Sequence, residues 1–228
     1  MNVDLGISGR TALVAASSAG LGYATAAALQ QAGCAVVISG RNEERLQAAA
    51  ASLPGSIPIA SDVSTADGAA SLVADAEEAL DSGIDILITN AGGPPPGDFS
   101  STDVSAYSSA LNLNLISVVA MCKATVPKMQ QQGWGRVLAI TSISVRQPIP
   151  NIMLSNTARA GATGFLKTLA LEVAKDGVTV NSIQPGFHAT DRVTSLYGDA
   201  DLHDLAKTIP AGKIGKAEDF GQIAAFLC

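Results

Sequence analysis

The first predicted strand runs through a glycine turn into a helix within the sequence Thr11-Ala-Leu-Val-Ala-Ala-Ser-Ser-Ala-Gly-Leu-Gly22. The apolar residues of Thr11–Ala15 predict a buried strand, and the alanine-rich run Gly20–Ala32, which Gly33 ends, predicts a helix. A second apolar run, Ala35–Ser39, predicts the next strand. Strand, helix and strand in this order predict a βαβ unit, because two parallel strands need a crossover of this length.

The alternation of strands and helices continues to the end of the chain. Further strands are predicted at Ile57–Ala60, Ile84–Thr89, Val137–Thr141 and Val178–Gln184. Further helices are predicted at Glu43–Leu53, Thr65–Asp81, Val104–Gln131, Ile152–Lys175 and Ala217–Phe226. The segment Phe187–Ile209 is predicted to be mobile and to cover a substrate. No repeat or linker interrupts the pattern, so residues 1–228 are expected to form one α/β domain, a doubly wound parallel sheet with helices on both faces.

Charge and composition argue against several classes of function. The 228 residues include 14 Lys and Arg against 20 Asp and Glu, with no basic run, so nucleic acid is not an expected partner. Charged residues make up 15% of the chain, against a usual ~25%, and hydrophobic residues make up 47%, so an apolar globular chain is expected rather than a disordered one. Serine, glycine and glutamine interrupt the uncharged stretch 11–40, so no membrane span is predicted there.

The cysteines and the first residues of the chain indicate a reducing compartment. The three cysteines, Cys34, Cys122 and Cys228, do not have the spacing of metal ligands, so reduced thiols and no metal site are predicted. Residues Met1–Ile7 lack the basic and apolar regions of a signal peptide. A cytoplasmic location is therefore expected.

The glycine turn after the first strand is a candidate phosphate-binding site. Glycine lets the backbone approach a pyrophosphate at a helix N-terminus, where free N–H groups favour an anion. The same glycines also fit a tight strand-to-helix turn without a ligand. The candidate cofactor-binding residues here are Ala16, Ser17, Ser18, Gly20, Leu21 and Gly22.

From about Arg10 onward, the sequence resembles the short-chain dehydrogenase/reductase family. Ala16, Gly20 and Gly22 occupy the glycine places of that family's Gly-x-x-x-Gly-x-Gly motif. Alanine at position 16 is a departure, which is tolerable if the turn there does not need a positive φ. Further matching motifs follow in order, namely Asp62-Val63, Asn90-Ala91-Gly92, Asn114, Ser142, and Asn181-Ser-Ile-Gln-Pro185-Gly186 with Thr190. The resemblance implies a Rossmann-like fold.

The resemblance also implies roles in cofactor binding for these residues. In the family, the position of Asp62 binds the adenine ring together with its neighbour Val63. The stretch Asn90-Ala91-Gly92 lines the adenine ribose and supports the sheet, and the stretch from Pro185-Gly186 to Thr190 holds the nicotinamide carboxamide. All these positions follow the carboxyl ends of predicted strands, where open α/β sheets bind ligands. An alternative for Asp62 is a helix cap or a turn acid.

The end of the second strand favours NADP(H) over NAD(H). The chain there reads Ser39-Gly40-Arg41-Asn42, with Gly40 at the place where an acid would bind the ribose hydroxyls of NAD. The guanidinium of Arg41 suits a 2′-phosphate, with Ser39 or Asn42 as further donors. An alternative is that Arg41 is a solvated turn residue that pairs with one of the glutamates after it.

The catalytic pattern of the family is altered in this chain. In the family, a hydride passes between nicotinamide and a carbonyl, a Tyr donates the proton, a Lys four residues later lowers that Tyr's pKa, and a Ser polarises the carbonyl. Ser142 fits the last role, and Asn114 is expected to support a water chain. Ser155 and Arg159 stand at the Tyr and Lys places, on one face of the predicted helix.

The altered pair leaves two classes of function open. An aliphatic hydroxyl is a poorer proton donor than a phenol, while Arg159 stays cationic and can hold the cofactor ribose or stabilise an oxyanion. One hypothesis is an NADP(H)-dependent reductase of a small ketone, such as a 3-oxoacyl thioester, with Tyr197 and His188 as further candidate acids. The alternative is an NADP(H)-binding sensor or structural protein with impaired catalysis, and an epimerase or lyase is a third hypothesis.

The helix predicted at Ile152–Lys175 carries small residues that favour close approach, namely Ala158, Ala160, Gly161, Ala162 and Gly164. In the family the matching helix forms a subunit face, which implies a homodimer or homotetramer. An alternative is close packing of this helix on the sheet. The family also adds a seventh strand after the last helix, whereas Leu227-Cys228 still fall within that helix, so this edge strand is expected to be absent.

Overall fold

The computed structural model describes residues 4–228, except for the side chains of residues 195–201. The strands are β1 Thr11–Val14, β2 Ala35–Gly40, β3 Ile57–Ala60, β4 Ile86–Thr89, β5 Gly135–Ile140 and β6 Val178–Ile183. The helices are α1 Gly20–Gln31, α2 Glu43–Ser52, α3 Ala66–Leu80, α4 Ser105–Leu111, α5 Ser117–Gln132, α6 Met153–Val173, α7 Asp191–Thr208 and α8 Ala217–Phe226.

The strands form one parallel sheet with the order β3-β2-β1-β4-β5-β6 among the described residues. This arrangement confirms the predicted doubly wound, Rossmann-like fold. The strand order reverses between β1 and β4, and loops that leave neighbouring strands in opposite directions open a crevice at such a point. The crevice therefore lies beside the glycine turn that follows β1.

The core lies in two layers, one on each face of the sheet. Along β1, Ala12 and Val14 pack in one layer and Leu13 in the other, because successive side chains of a strand point to opposite faces. Helices α1, α2 and α8 cover the first face, and α3, α5 and α6 cover the second. Both faces are covered, which explains why the central strands β1 and β4 are buried along their whole length and almost entirely apolar rather than alternating.

Helix α7 lies within the segment Phe187–Ile209, for which the sequence predicted no helix. Polar residues dominate this segment, so no apolar stripe marked a helix. The flanks of α7 pair with each other, since the amide of Ala189 donates to the carbonyl of Gly215 at 2.8 Å. The carbonyl of Thr190 then accepts from Val193 N and Thr194 N at 2.9 and 3.1 Å, which begins the helix. An acid in the first turn and Lys207 in the last turn complement its dipole.

The helix predicted at Val104–Gln131 is divided by a π-helical turn, Asn112–Ile116, between α4 and α5. Ser105–Gln132 as a whole is long and apolar enough to cross a bilayer by length and composition. Buried core helices pass the same test, and α5 contributes Met121 and Cys122 to the core layer beside the sheet. The stretch is therefore weak support for a membrane span.

Candidate active site

A cavity of about 900 Å³ lies at the carboxyl ends of the strands. Every cofactor-binding and catalytic residue predicted from the sequence lines this cavity, with the exceptions of Ser17 and Asn114. The N-termini of α1 and α7 both reach it, through Gly20 and Asp191. Free N–H groups at two helix starts make this region favourable for an anion.

The glycine turn requires a left-handed residue where the chain has Ala16. Its φ is +48°, so the condition under which alanine would be tolerated without strain, a turn that needs no positive φ, is not met. Neighbouring polar groups hold the residue from both sides. The amide of Asn90 donates to the Ala16 carbonyl at 3.0 Å, and the hydroxyl of Ser39 accepts from the Ala16 N–H at 3.1 Å. These two bonds maintain a conformation that alanine disfavours.

Gly22 allows the turn to close on the next strand. A Cβ atom there would lie 2.8 Å from both the Ala16 carbonyl oxygen and Asn90 Nδ2. Ser17 lies behind the cavity wall and is fully buried. Its hydroxyl donates to the Val14 carbonyl at 2.6 Å and accepts from Ser39 N at 3.0 Å. The structure thus places Ser17 in the support of the turn rather than at the cavity.

Asn114 also lies behind the wall, within the π-helical turn. Its Nδ2 donates to the carbonyl of Gly92 at 3.2 Å, while its buried Oδ1 has no hydrogen-bond partner within the described part of the chain. Leu113 lines the cavity beside it. An unpaired buried acceptor at this position is suited to a bound water, which is the role that the family resemblance implied.

The end of β2 carries no acid, and Arg41 there forms no ion pair among the described residues. A Cβ atom at Gly40 would lie 3.0 Å from the Ser18 hydroxyl. Arg41 is exposed and forms no ion pair with any residue that the structure describes. Asn42 instead caps α2, accepting from Arg45 N at 2.7 Å, and the Ser39 hydroxyl is used by the glycine turn.

The sequence analysis missed Arg45, which lines the cavity close to Arg41. Its guanidinium forms an ion pair with Asp191 at the start of α7, so the contact joins the two sides of the cavity. Asp62 also lines this end, and its carboxylate accepts from Ser64 N at 3.0 Å. Asp62 thus forms a turn, while Thr65 caps the next helix. A basic residue one turn into a helix after a strand could have indicated Arg45.

Three predicted catalytic residues meet at the opposite end of the cavity. Ser142 follows β5, and its hydroxyl accepts from Ser144 N at 3.1 Å. Ser155 and Arg159 lie one turn apart on α6, and the Ser155 hydroxyl has no hydrogen-bond partner among the described residues. Arg159 donates from Nη1 to the carbonyls of Ile140 and Thr141, at 3.0 and 3.2 Å. Arg159 therefore ties α6 to the strand end that carries Ser142.

Arg192 is a second residue that the sequence analysis missed. It lies in the first turn of α7, and its Nη2 donates to the carbonyl of Pro94 at 2.9 Å. Gly93 leaves the space for this guanidinium, since a Cβ atom there would lie 2.5 Å from Nη2. Burial and, second, the charge of Arg192 lower the pKa of Arg159 to about 10. Two guanidinium groups thus share this end of the cavity.

The other candidate acids lie in different surroundings. His188 lines the cavity, but its ring packs edge-on against Phe220 at a centroid distance of 5.4 Å and its Nδ1 lies 3.3 Å from the Gly186 carbonyl oxygen. Tyr197 lies outside the described side chains. No group of three or more His, Cys, Asp or Glu side chains placed to hold a metal was found in the described part of the chain.

The residues present fit a dinucleotide. Gly22 permits a close turn that a Cβ atom would block, two helix N-termini face the cavity, and Arg41 is free of any described acid. The cavity volume also lies in the range of cofactor sites. Fold and site together define a Rossmann-like protein of the dinucleotide-binding class.

Comparison with known proteins gives the family. The family described as enoyl-(acyl carrier protein) reductase matches residues 15–228. Dehydrogenase/reductase SDR family member 4 of Homo sapiens is 33% identical over 228 residues, which is 97% of this chain and 82% of the relative. A 3-oxoacyl-(acyl-carrier-protein) reductase of Rickettsia bellii is 32% identical over 222 residues, 97% of this chain and 90% of the relative. The chain belongs to the short-chain dehydrogenase/reductase family of oxidoreductases.

Solved structures agree with this result. The crystal structure of L-sorbose reductase from Gluconobacter frateurii, complexed with NADPH and L-sorbose, is similar with a TM-score of 0.92 and 29% identity. The similarity covers 99% of this chain and 92% of that one. The family and its fold imply that NAD(P)(H) is the cofactor of this chain.

Proposed function

We propose that the chain is an NADP(H)-dependent oxidoreductase that reduces the ketone of a small carbonyl compound, such as a 3-oxoacyl thioester, to a secondary alcohol. The observation that carries the proposal is one continuous cavity with Arg41 at one end and Ser142, Ser155 and Arg159 at the other. A relative named as a reductase and the NADPH complex of L-sorbose reductase support it.

The preference for NADP(H) rests on the end of β2. Arg41 is free of any described acid and can pair with a phosphate, for which the planar guanidinium is suited. Gly40 stands where an acid would bind the ribose hydroxyls of NAD(H), and a Cβ atom there would crowd the Ser18 hydroxyl at 3.0 Å. When bound, the cofactor supplies the hydride for carbonyl reduction.

The side chains of the protein orient the carbonyl, stabilise charge and donate the proton. Ser142 orients the carbonyl oxygen, and Arg159 stabilises negative charge that develops on it or holds the cofactor ribose. Ser155 donates the proton through a water that Asn114 supports. A positioned acid is worth about 10²–10⁴ in rate, and an aliphatic hydroxyl is a weak one, so slow turnover is expected.

The test combines binding and turnover on the full chain. NADPH and NADH are titrated by fluorescence, and NADPH absorbance is then followed with a panel of activated ketones. We expect Arg41→Gln to weaken NADPH binding about tenfold and to leave NADH binding unchanged, since only NADPH carries the 2′-phosphate. Equal weakening of both cofactors would contradict the assigned role of Arg41.

Turnover separates the enzyme from the binding protein. We expect Ser142→Ala and Ser155→Ala to lower kcat, whereas Ser52→Ala, which removes an exposed hydroxyl at the end of α2, should not. Tight NADPH binding without turnover, not rescued by Ser155→Tyr with Arg159→Lys, would favour the alternative of an NADP(H)-binding sensor or structural protein.

We also propose a homodimer or homotetramer. Ala160 and Gly164 are exposed on α6, and Leu171, three turns from Ala160 on the same face, is 86% exposed. Ala158 and Ala162 are fully buried, so these two small residues pack within the chain. Light scattering of wild type beside Leu171→Glu tests this proposal, and an unchanged monomeric mass for both would overturn it.

A further inference from the structure

The end of the cavity that holds Ser142 and Ser155 carries two arginines without a matching acid. The guanidinium of Arg159 donates only to backbone carbonyls, at 3.0 and 3.2 Å, and that of Arg192 donates to the Pro94 carbonyl at 2.9 Å. The ion pairs found among the described side chains include neither residue. Both positive charges are therefore left without a protein counter-charge.

The acids that line the cavity are committed elsewhere. Asp191 pairs with Arg45, and Asp62 is held in its own turn by Ser64 N. The described lining contains four arginines against these two aspartates. The cavity as a whole is therefore positive, although the chain has a net charge of −6.

Holding two guanidinium groups close together in a partly buried site is unfavourable. Burial lowers the pKa of Arg192, and burial and the charge of Arg192 lower that of Arg159, so each group is penalised in its charged form. Such a cost is offset when an anion binds between the charges, and a guanidinium matches a carboxylate with two parallel hydrogen bonds.

We propose that Arg159 and Arg192 bind a carboxylate of the substrate, so that the site takes an oxo acid in preference to a neutral ketone. This inference rests on the proposed reductase function. Arg159 is bonded to the carbonyl of Thr141, the residue before Ser142, and lies one turn from Ser155. The carboxylate and the ketone of a short oxo acid can therefore be held at the same end of the cavity.

Binding measurements on the full chain test the inference without turnover. Acetoacetate and 2-oxobutanoate are titrated by calorimetry, each beside its neutral amide, into the protein with and without NADPH. We expect each acid to bind about tenfold or more tightly than its amide, because only the acid can form the charged pairs. Equal affinities for acid and amide would overturn the inference.

Arg192→Gln is the decisive variant, because it removes one guanidinium from the rim and leaves the bonds of Arg159 in place. It should reduce the ratio of acid to amide affinity at least fivefold. Lys175→Gln removes an exposed charge beyond the end of α6 and should leave the ratio unchanged. If Arg192→Gln weakens NADPH binding and keeps the ratio, the arginines hold a cofactor phosphate and the inference is overturned.

The proposed function and the inference fail in different ways. Absence of NADPH binding to the wild-type protein would overturn the proposed function. The comparison of acid and amide without cofactor would then still measure the preference of the arginines. NADPH binding combined with equal acid and amide affinities would retain the cofactor and overturn only the carboxylate site.

Discussion

Ala16 shows how a single residue is held against its own preference. Its φ of +48° lies in the left-handed region, which costs a residue with a Cβ atom about 1–2 kcal/mol. The hydrogen bonds from Asn90 and to Ser39 hold it there, and Gly22 must lack a side chain for the turn to close. The turn therefore stores strain next to the predicted phosphate site.

The first prediction concerns this strain. We expect Ala16→Gly to raise the free energy of unfolding by about 0.5–1 kcal/mol, because relief of the left-handed strain exceeds the entropy that glycine adds to the unfolded chain. Urea unfolding measures the change. Ala48→Gly, at an exposed position in the middle of α2, serves as the control and should instead lower stability by about 0.5–1 kcal/mol. If both substitutions destabilise the protein, the proposed backbone strain at Ala16 is contradicted.

At the scale of elements, the packing of α8 on α1 requires a residue without a side chain, Gly221, at the contact. A Cβ atom at Gly221 would overlap the backbone carbonyl of Ala24 in α1. Since that atom belongs to a helix backbone, neither helix can yield by a rotamer change. Phe220 and Ala224 of α8 are buried in the same core layer.

The second prediction follows from this contact. Gly221→Ala should lower the free energy of unfolding by about 1–3 kcal/mol, because the two helices must separate. Gly83→Ala makes the same change where a Cβ atom meets nothing within 4 Å and φ is not positive. That control should be neutral or stabilising by up to about 1 kcal/mol. Thermal unfolding measures both variants, and equal shifts of their melting temperatures would contradict the predicted overlap at Gly221.

Helix α7 is the element that the sequence described least well. Its first turn carries Asp191 and Arg192, which contact Arg45 and the Pro94 carbonyl across the cavity. A polar helix of this kind has no apolar stripe to reveal it, and its contacts come from loops distant in sequence. The covering role predicted for Phe187–Ile209 stays a prediction.

At the scale of the whole molecule, the reactivity of the three cysteine thiols measures how well the two core layers exclude solvent. Cys34, Cys122 and Cys228 are buried and free. Burial raises the pKa of Cys122 to about 12, and burial followed by the charge of Asp85 raises that of Cys34 to about 11. Burial and nearby Cys34 raise the pKa of Cys228 to about 12.

The third prediction concerns the reactivity of these buried thiols. Because the thiolate is the reactive form, the native protein should react with Ellman's reagent at pH 8 far more slowly than free cysteine does, and all three thiols should react once urea unfolds the chain. Ser52→Cys places one thiol at an exposed helix end, which should react within seconds while the others stay protected. Rapid reaction of the native wild-type thiols would contradict the closed core.

The sequence by itself determined the sheet, its helices and the glycine turn. Apolar runs of strand length alternate with helical runs, and short crossovers allow a parallel doubly wound arrangement. The positions that line the cavity were predictable for the same reason, since the carboxyl ends of parallel strands meet at one edge of the sheet. Local pattern and topology suffice for both.

Only the tertiary structure decided which polar and charged side chains have partners within the chain and which are available to a ligand. It showed that Ser17 and Asn114 stand behind the cavity wall, that Arg41 forms no ion pair with any described residue, and that Arg159 and Arg192 share one end of the cavity. These facts depend on distances between residues as far apart in sequence as Pro94 and Arg192. No local pattern encodes such distances, because they arise when the elements pack.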